Sequence, residues 1–178
     1  VSAAVDGYAG PGTLTYNSET GVLTYQGGEG GTAMTALVIS LSAVDDSLVE
    51  GPEAYTVSLA SPGSTSGAQV AGSGSVTTTI ADNDTATWSL TGDTSLTESG
   101  PGSATYTVSL AGTLQDGETA AIVLTLTDEE TTNADHSDFA AAVSAAVGGY
   151  AGPGTLTFNS ETGVLTYQGG AGGTAMTA

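Results

Sequence analysis

Short segments in which apolar and polar residues alternate recur along most of the chain, and turns rich in glycine separate them. Ala104–Leu110, Tyr55–Ala60 and Val164–Gln168 show this pattern, which is typical of half-buried strands. We predict further strands at segments of similar character, namely Ala36–Ala43, Val76–Ala81, Ala86–Leu90 with Leu96–Glu98, Ala120–Leu126 and Thr155–Phe158. Many short strands with glycine-rich turns favour an all-β fold, here a β-sandwich with Greek-key, immunoglobulin-like connections.

One segment has the character of a helix instead. Asp138–Val147 is rich in alanine, begins with a residue suited to cap a helix N-terminus, and is followed by two glycines. We therefore predict one short helix there. Further on, the sequence Asn-Ser-Glu-Thr-Gly at 159–163 lies between two predicted strands. It indicates a hairpin loop whose glycine takes a positive φ.

A segment of 36 residues occurs twice, as a first copy at Val1–Ala36 and a second copy at Val143–Ala178. The offset is 142 residues, and the copies differ only at the pairs Asp6/Gly148, Tyr16/Phe158 and Glu29/Ala171. Such near-identity predicts a tandem array of period 142, which is the size of a domain rather than of a solenoid unit. The chain also lacks a starting methionine, and we expect it to be a fragment of a longer protein.

The junction between two repeats is predicted near residues 82–85, between two predicted strands. Residues 1–85 are then the C-terminal part of one repeat, and residues 86–178 are the N-terminal part of the next. With this boundary the two parts would have to join opposite poles about 20 Å apart, whereas one residue spans about 3.5 Å. We therefore expect no closure of the two parts within one chain. They would be completed by a longer array or by head-to-tail strand complementation between molecules.

The chain carries 19 acidic residues, one histidine, no lysine and no arginine, and its formal net charge is −19. Nucleic acids and anionic membrane surfaces are excluded as partners, because both are bound through basic side chains. No apolar run long enough to insert in a membrane is present. The carboxylates must be solvated, hydrogen-bonded to the backbone, or neutralised by a cation. Cysteine is absent, which excludes disulfides and thiolate metal sites.

The acidic residues lie at the ends of predicted strands. Because consecutive strands alternate in direction, the ends of the first, third, fifth and last strands should share one pole. These ends carry Glu98, Asp128, Asp45 with Asp46, and Asp82 with Asp84. Converging carboxylates without basic partners favour a hard cation, and calcium with its six to eight oxygen ligands suits them better than magnesium. The alternative is that they are solvated loop acids of a soluble secreted protein.

Two stretches resemble a known family. The run from Asp45 to Leu59 and the closing Thr-Thr-Ile-Ala-Asp-Asn-Asp at 78–84 resemble the Calx-beta calcium-binding domain. The whole unit is similar to the extender repeats of bacterial repeats-in-toxin adhesins, which are exported by type I secretion. The resemblance implies calcium as the cofactor, with Asn83 standing where the family has a third carboxylate. It implies as ligands Asp45, Asp46, Glu50, Glu53, Asp82, Asp84, Glu98 and Asp128.

Other candidate sites are interpreted as ordinary parts of strands and loops. His136 is expected to be a surface histidine, because no Gly-x-Ser-x-Gly elbow accompanies it. The glycine-rich stretch at 27–31 lacks the lysine and the helix of a phosphate-binding loop. Trp88, Tyr55 and Tyr106 are expected to be core or half-buried residues rather than a sugar platform. We therefore predict that the chain is not an enzyme.

Two functions remain open from the sequence. The first is a calcium-stabilised structural spacer of a large adhesin, extracellular at the bacterial cell surface, that supports cell adhesion or biofilm formation. Its partners would be the neighbouring repeat domains of the same chain. The alternative is a calcium-dependent module that binds carbohydrate or another surface. Near-identical tandem copies favour the spacer, because added length alone would justify them.

Overall fold

The structure, a computed structural model, describes residues 1–97, 102–132 and 134–177. Strands predominate over helices in this part of the chain, so the protein is β-rich, as its sequence predicts. Contacts between residues divide the chain into two compact units, Val1–Val44 and Asp45–Ala178. This division differs from the predicted repeat junction near 82–85. The assignment of residues 1–85 and 86–178 to successive repeats stays a prediction.

The first unit contains a short helix and one hairpin. Helix α1 spans Ser2–Asp6, and strands β1 (Thr13–Asn17) and β2 (Val22–Gln26) form an antiparallel ladder. Within the described residues, β1 is the only strand that pairs with β2. One edge of β2 is therefore open.

The second unit contains the remaining strands and a longer helix. The elements in chain order are β3 (Leu48–Val49), β4 (Glu53–Leu59), β5 (Gly74–Ile80), β6 (Thr87–Gly92), β7 (Tyr106–Ala111), β8 (Thr113–Leu114), β9 (Thr119–Val123), α2 (Phe139–Gly148), β10 (Thr155–Asn159) and β11 (Val164–Gln168). β4 pairs with β5 and β6 pairs with β7 in antiparallel hairpins, β3 runs parallel to β8, and β11 lies between β10 and β9.

The core of the second unit is formed by strands from its middle and its C-terminal part. Leu110 of β7, Leu114 of β8 and Tyr167 of β11 are buried together. Partly buried residues pack against them, namely Val49, Ala86, Trp88, Ala120, Tyr150, Leu156 and Met176. Val49 precedes the predicted repeat junction near 82–85, and all the other residues of this core follow it. One core therefore contains residues from both sides of that junction.

The two sides of the predicted junction also share backbone hydrogen bonds. Val49 of β3 lies opposite Leu114 of β8, and the backbone nitrogen of Gln115 donates to the carbonyl oxygen of Val49 at 3.1 Å. The expectation that they do not close within one chain is therefore wrong. It assumed that one residue joins two poles, whereas β5 ends at Ile80 and β6 begins at Thr87. That connection spans up to about 20 Å. Head-to-tail strand complementation between molecules stays a prediction, but the distance between the two poles no longer supports it.

Both copies of the repeated segment form the same hairpin. β10 and β11 pair in the register of β1 and β2 shifted by the repeat offset, with Thr157 opposite Thr166 as Thr15 is opposite Thr24. The local sequence is therefore sufficient to specify the hairpin in two different surroundings.

The turn of the second hairpin shows how the sequence fixes it. The side-chain oxygen of Asn159 accepts hydrogen bonds from the backbone nitrogens of Glu161 at 3.0 Å and Thr162 at 3.1 Å. Gly163 closes the turn with φ of 70°, which confirms the predicted positive φ. The first copy repeats the arrangement at Asn17.

Helix α2 begins as predicted, because the Asp138 carboxylate accepts a hydrogen bond from the backbone nitrogen of Ala141 at 2.8 Å. This N-cap satisfies one of the free donors of the first turn. The prediction of a single short helix missed α1. The five residues of α1 repeat the sequence at the end of α2, except that Asp6 replaces Gly148.

One predicted strand is not formed, and the described part of another is irregular. Ala36–Ala43 contains no strand, and Val38 and Leu41 are 77% and 61% exposed. Leu96 and Thr97 are irregular, and Glu98 lies outside the described residues. A strand is stable only where a neighbour bonds its backbone, and no neighbour pairs with these segments in the described part of the chain. Apolar alternation alone therefore overpredicted strands.

The folded chain leaves much of its apolar surface uncovered. Exposed apolar residues occur on β2, β4, β5, β6 and β9. These strands have faces or edges suited to further partners.

Candidate metal centre

The pairing of β4 with β5 brings most of the predicted ligands to one place. Glu53 at the start of β4 lies opposite Ile80 at the end of β5. The loop before β4 therefore lies beside the segment that follows β5. We call the six acidic residues of these two loops the acidic junction; they are Asp45, Asp46, Glu50, Glu53, Asp82 and Asp84.

Asp82 organises the acidic junction through the backbone. Its two carboxylate oxygens accept hydrogen bonds from the backbone nitrogens of Glu50 and Asp84, each at 2.9 Å. These bonds, the one from Glu50 foremost, lower the pKa of Asp82, because they stabilise its charged form. Asp82 therefore ties the loop before β4 to the segment after β5.

Two further bonds hold the loop before β4. The Asn83 side-chain nitrogen donates to Asp45 at 3.1 Å, which adds a second link between the loops. The carboxylate of Asp46 accepts from the backbone nitrogen of Leu48 at 2.8 Å and begins the turn into β3. Asn83, where the family resemblance implies a carboxylate, thus contributes a donor that a carboxylate would lack.

Within the acidic junction, the charged forms of Glu50 and Asp84 are the ones that their surroundings disfavour. Partial desolvation raises the pKa of Glu50, and the nearby carboxylates of Glu53, Asp46, Asp82 and Asp84 raise it further. The pKa of Asp84 is raised by partial desolvation and then by Asp82, Asp45 and Asp46. Both shifts disfavour the charged form. A bound cation would remove this repulsion.

The chemistry of the acidic junction suits a hard cation, but its side chains are not arranged as a complete set of metal ligands. Among the described residues, no three histidine, aspartate or glutamate side chains are placed to hold one metal ion together. Asp46 and Asp82 direct oxygens to backbone nitrogens, and Asp45 directs one to the Asn83 amide. Carboxylates have further lone pairs, so these bonds do not consume all of the donor capacity.

The structure places Asp128 in a different group of side chains. Its carboxylate accepts a hydrogen bond from the Thr131 hydroxyl at 2.9 Å and contacts Nε2 of His136 at 2.8 Å. The bond to His136 foremost lowers the pKa of Asp128. Hydrogen bonds to the Ser137 carbonyl and to Asp128 raise the pKa of His136, and the charges of Asp128 and Asp135 add to this.

This pair was not predicted from the sequence, where His136 was interpreted only as a surface histidine. The position of His136 as a single basic residue within an acidic loop was the signal that could have predicted its contact with Asp128. Glu98, the remaining predicted ligand, lies outside the described residues. The metal ligands implied by the family resemblance thus comprise six residues at the acidic junction, Asp128 in its own loop, and Glu98.

The other candidates also take definite positions. Trp88 is half-buried against the core, and its indole nitrogen has no hydrogen-bond partner among the described residues. Tyr55 is half-buried, whereas Tyr106 is 62% exposed. In the glycine-rich stretch at 27–31, the backbone nitrogen of Gly28 bonds the Thr32 hydroxyl at 2.7 Å.

Comparison with family models, with curated proteins and with solved structures gives no match to this chain. No helix in the described residues is long and apolar enough to cross a membrane.

Proposed function

We propose that the chain is a calcium-stabilised structural spacer from a large bacterial surface adhesin. In this proposal it belongs to an array of Calx-beta-like, Greek-key β-sandwich repeats, exported by type I secretion, that supports cell adhesion or biofilm formation. The observation that supports it best is the acidic junction, where two loops linked through Asp82 and Asn83 carry six carboxylates in a chain without lysine or arginine.

Glu50 and Asp84 would be the main ligands, because their charges are the least compensated. Asp45, Asp46, Glu53 and Asp82 would supply the other carboxylate oxygens. A calcium ion neutralises clustered carboxylates and accepts the mixed, irregular oxygen sets that loops provide. Because these loops flank β4 and β5, the ion would hold together the two segments that Asp82 already joins.

The experiment is thermal unfolding of the 178-residue chain in calcium, in magnesium and in chelator, followed by Trp88 fluorescence, which reports on the second unit. An ion that binds only the folded state adds about 2.7 kcal/mol at a hundredfold excess over its Kd. We expect calcium to raise the Tm and magnesium to have a smaller effect. An unchanged Tm in calcium refutes the proposal.

Glu50→Gln separates the acidic junction from other carboxylates. In chelator this variant should be more stable than the parent chain, because it removes a desolvated, repelled charge. In calcium it should gain less stability than the parent. Glu161→Gln, in the exposed turn of the second hairpin, removes the same charge elsewhere and should leave the calcium response unchanged. An equal response of Glu50→Gln and the parent would place the ion at another site.

The same titration distinguishes the spacer from the alternative, a calcium-dependent carbohydrate-binding module. A spacer reaches its full stability with calcium alone. A sugar-binding module gains a further rise in Tm when simple sugars are added in calcium and loses that rise in chelator. We expect no further rise.

A further inference from the structure

The repeated segment provides a comparison of identical residues in two surroundings. β2 and β11 have the same sequence, Val-Leu-Thr-Tyr-Gln. Leu165 of β11 is 2% exposed, whereas its counterpart Leu23 of β2 is 41% exposed. Tyr167 is fully buried and its counterpart Tyr25 is half-buried. The difference therefore comes from the neighbours of each hairpin rather than from the residues themselves.

One continuous segment, Thr113–Leu124, follows the outer edge of the second hairpin; we call it the donor segment. Its β9 part pairs with β11, with Ile122 opposite Leu165 and Ala120 opposite Tyr167. Its β8 part reaches further, because Leu114 and Thr174 exchange two backbone hydrogen bonds of 3.0 and 2.9 Å. The donor segment thus contacts both the strand and the glycine-rich loop that follows it.

Hydrogen bonds at both ends of β11 show which of its backbone groups face the donor segment. The nitrogen of Leu124 donates to the oxygen of Gly163 at 2.8 Å, and the nitrogen of Gly169 donates to the oxygen of Glu118 at 2.9 Å. Because bonding alternates along an antiparallel strand, Leu165 and Tyr167 also direct their backbone groups to β9. Leu23 and Tyr25 have the same places in the first copy, where they face the open edge of β2.

The first hairpin already has the shape of the second without a donor segment. The Tyr25 hydroxyl lies 2.9 Å from the Thr32 hydroxyl, and the Gly28 nitrogen donates to that hydroxyl at 2.7 Å. In the second copy the Tyr167 and Thr174 hydroxyls lie 2.8 Å apart, and Gly170 donates in the same way at 2.8 Å. An edge that is already ordered loses little conformational entropy when a strand binds to it.

We propose that the open edge of β2, together with Thr32, is a binding site for a strand, and that its occupant is a second copy of the donor segment, supplied by another copy of the repeat. The bound segment runs antiparallel to β2, with Ile122 opposite Leu23 and Ala120 opposite Tyr25. Leu114 bonds Thr32 as it bonds Thr174 in the second copy. Strand addition of this kind gives affinity through main-chain hydrogen bonds and specificity through alternate side chains.

The numbers of sites explain why the occupant comes from an additional repeat. Each chain carries one donor segment and two edges that accept it, β2 and β11. Two whole chains that exchange donor segments form no more pairs than two separate chains do. We therefore expect the chain alone to leave one edge per molecule open at any concentration.

The first test adds a synthetic Thr113–Leu124 peptide to the full chain and follows amide hydrogen exchange in chelator, so that calcium has no influence. Fragments of the two copies are distinguished by mass, because Tyr16 replaces Phe158 and Glu29 replaces Ala171. Without peptide, residues 22–26 should exchange at least about tenfold faster than residues 164–168. Excess peptide should slow residues 22–26 at least about tenfold.

Matched peptides test the direction of the bonds. Peptides N-methylated at Ala120 and Ile122 lose the donors that face the edge and should give no protection. Peptides N-methylated at Ala121 and Val123 carry the same number of methyl groups on the other edge and should protect residues 22–26. A scrambled peptide should give no protection. Equal protection by all peptides, or no protection by any, overturns the proposal.

Variants of the chain test the site from the other side. Leu23→Pro removes the backbone donor that faces the open edge, while the ladder to β1 uses the neighbouring positions. This variant should bind the peptide at least about tenfold more weakly, and Leu23→Val should bind it within about threefold of the parent. If Leu23→Pro binds as well as Leu23→Val does, the peptide lies elsewhere.

A second test supplies the donor segment in the same chain. Residues 113–142 are duplicated in front of Val1, which gives the first copy the upstream sequence that the second copy has. Residues 22–26 should then exchange within about threefold of residues 164–168. A matched extension that carries proline in place of its Ile122 should leave residues 22–26 fast. Fast exchange in both extended chains contradicts the proposal.

Discussion

Alanine substitutions at Leu165 and Leu23 measure what burial by the donor segment contributes. Both residues belong to the sequence Val-Leu-Thr-Tyr-Gln, so intrinsic propensities cancel. Leu165 is 2% exposed and Leu23 is 41% exposed. Leu→Ala at a buried position costs about 2–5 kcal/mol, because a cavity remains in addition to the lost transfer free energy. At Leu23 roughly half of the transfer free energy is lost and no closed cavity forms, which gives about 1 kcal/mol.

Urea unfolding of each variant in chelator provides the measurement. Trp88 fluorescence reports on the second unit, and hydrogen exchange of residues 13–26 reports on the first hairpin. With a urea dependence of about 2 kcal/mol/M, a cost of about 3 kcal/mol in Leu165→Ala lowers the Trp88 midpoint by about 1.5 M. Leu23→Ala should leave that midpoint unchanged and accelerate exchange in the first hairpin only slightly. Equal costs at the two positions would refute the reasoning, since they would show that both leucines are equally covered in solution.

Two further predictions concern single residues. The pKa of His136 should lie above its ordinary value in an NMR titration and should fall in Asp128→Asn. Because the folded-state pKa is raised, the stabilisation is complete below about pH 6.5 and is lost as the pH rises through the folded-state pKa. A His136 pKa that the substitution leaves unchanged would contradict the contact with Asp128. Gly163→Ala should destabilise the second hairpin by more than about 1 kcal/mol over Gly21→Ala. Both glycines have positive φ, but only at Gly163 would the new Cβ lie 2.7 Å from the carbonyl oxygen of Leu124. Equal costs in urea unfolding would show that Leu124 does not contact this turn.

Local signals in the sequence were sufficient for features that depend on few residues. Asp138 begins α2 because an N-cap needs only its own side chain and the next turn. The hairpin turns at Asn159–Gly163 depend on one asparagine and one glycine. Strand alternation predicted that Asp45 and Asp46 lie near Asp82 and Asp84, but through a strand at Ala36–Ala43 that is not formed. The pairing of β4 with β5 places the two loops side by side instead.

Features that depend on a distant partner were not predictable. Ala36–Ala43 has the apolar pattern of a strand, but no neighbour in the described residues pairs with it. The two residues of β3 are too few to carry a pattern, and their parallel pairing with β8 is fixed by the core around Leu114. His136 contacts Asp128, which lies eight positions earlier in the chain, and periodicity gives no rule for such a contact.

The order of the elements along the chain has a kinetic consequence. A hairpin such as β1–β2 closes through local contacts within microseconds. Its open edge can therefore bind a strand as soon as these residues have left the ribosome or an export channel. β9 emerges later than β2 but earlier than β11. If the edge of β2 binds a donor segment as proposed, β9 finds a matching edge during vectorial folding before residues 164–168 of β11, its partner in the structure, have emerged. On that proposal the two copies would compete for the same strand during synthesis, and sequence divergence at β2 or β11 would relieve the competition.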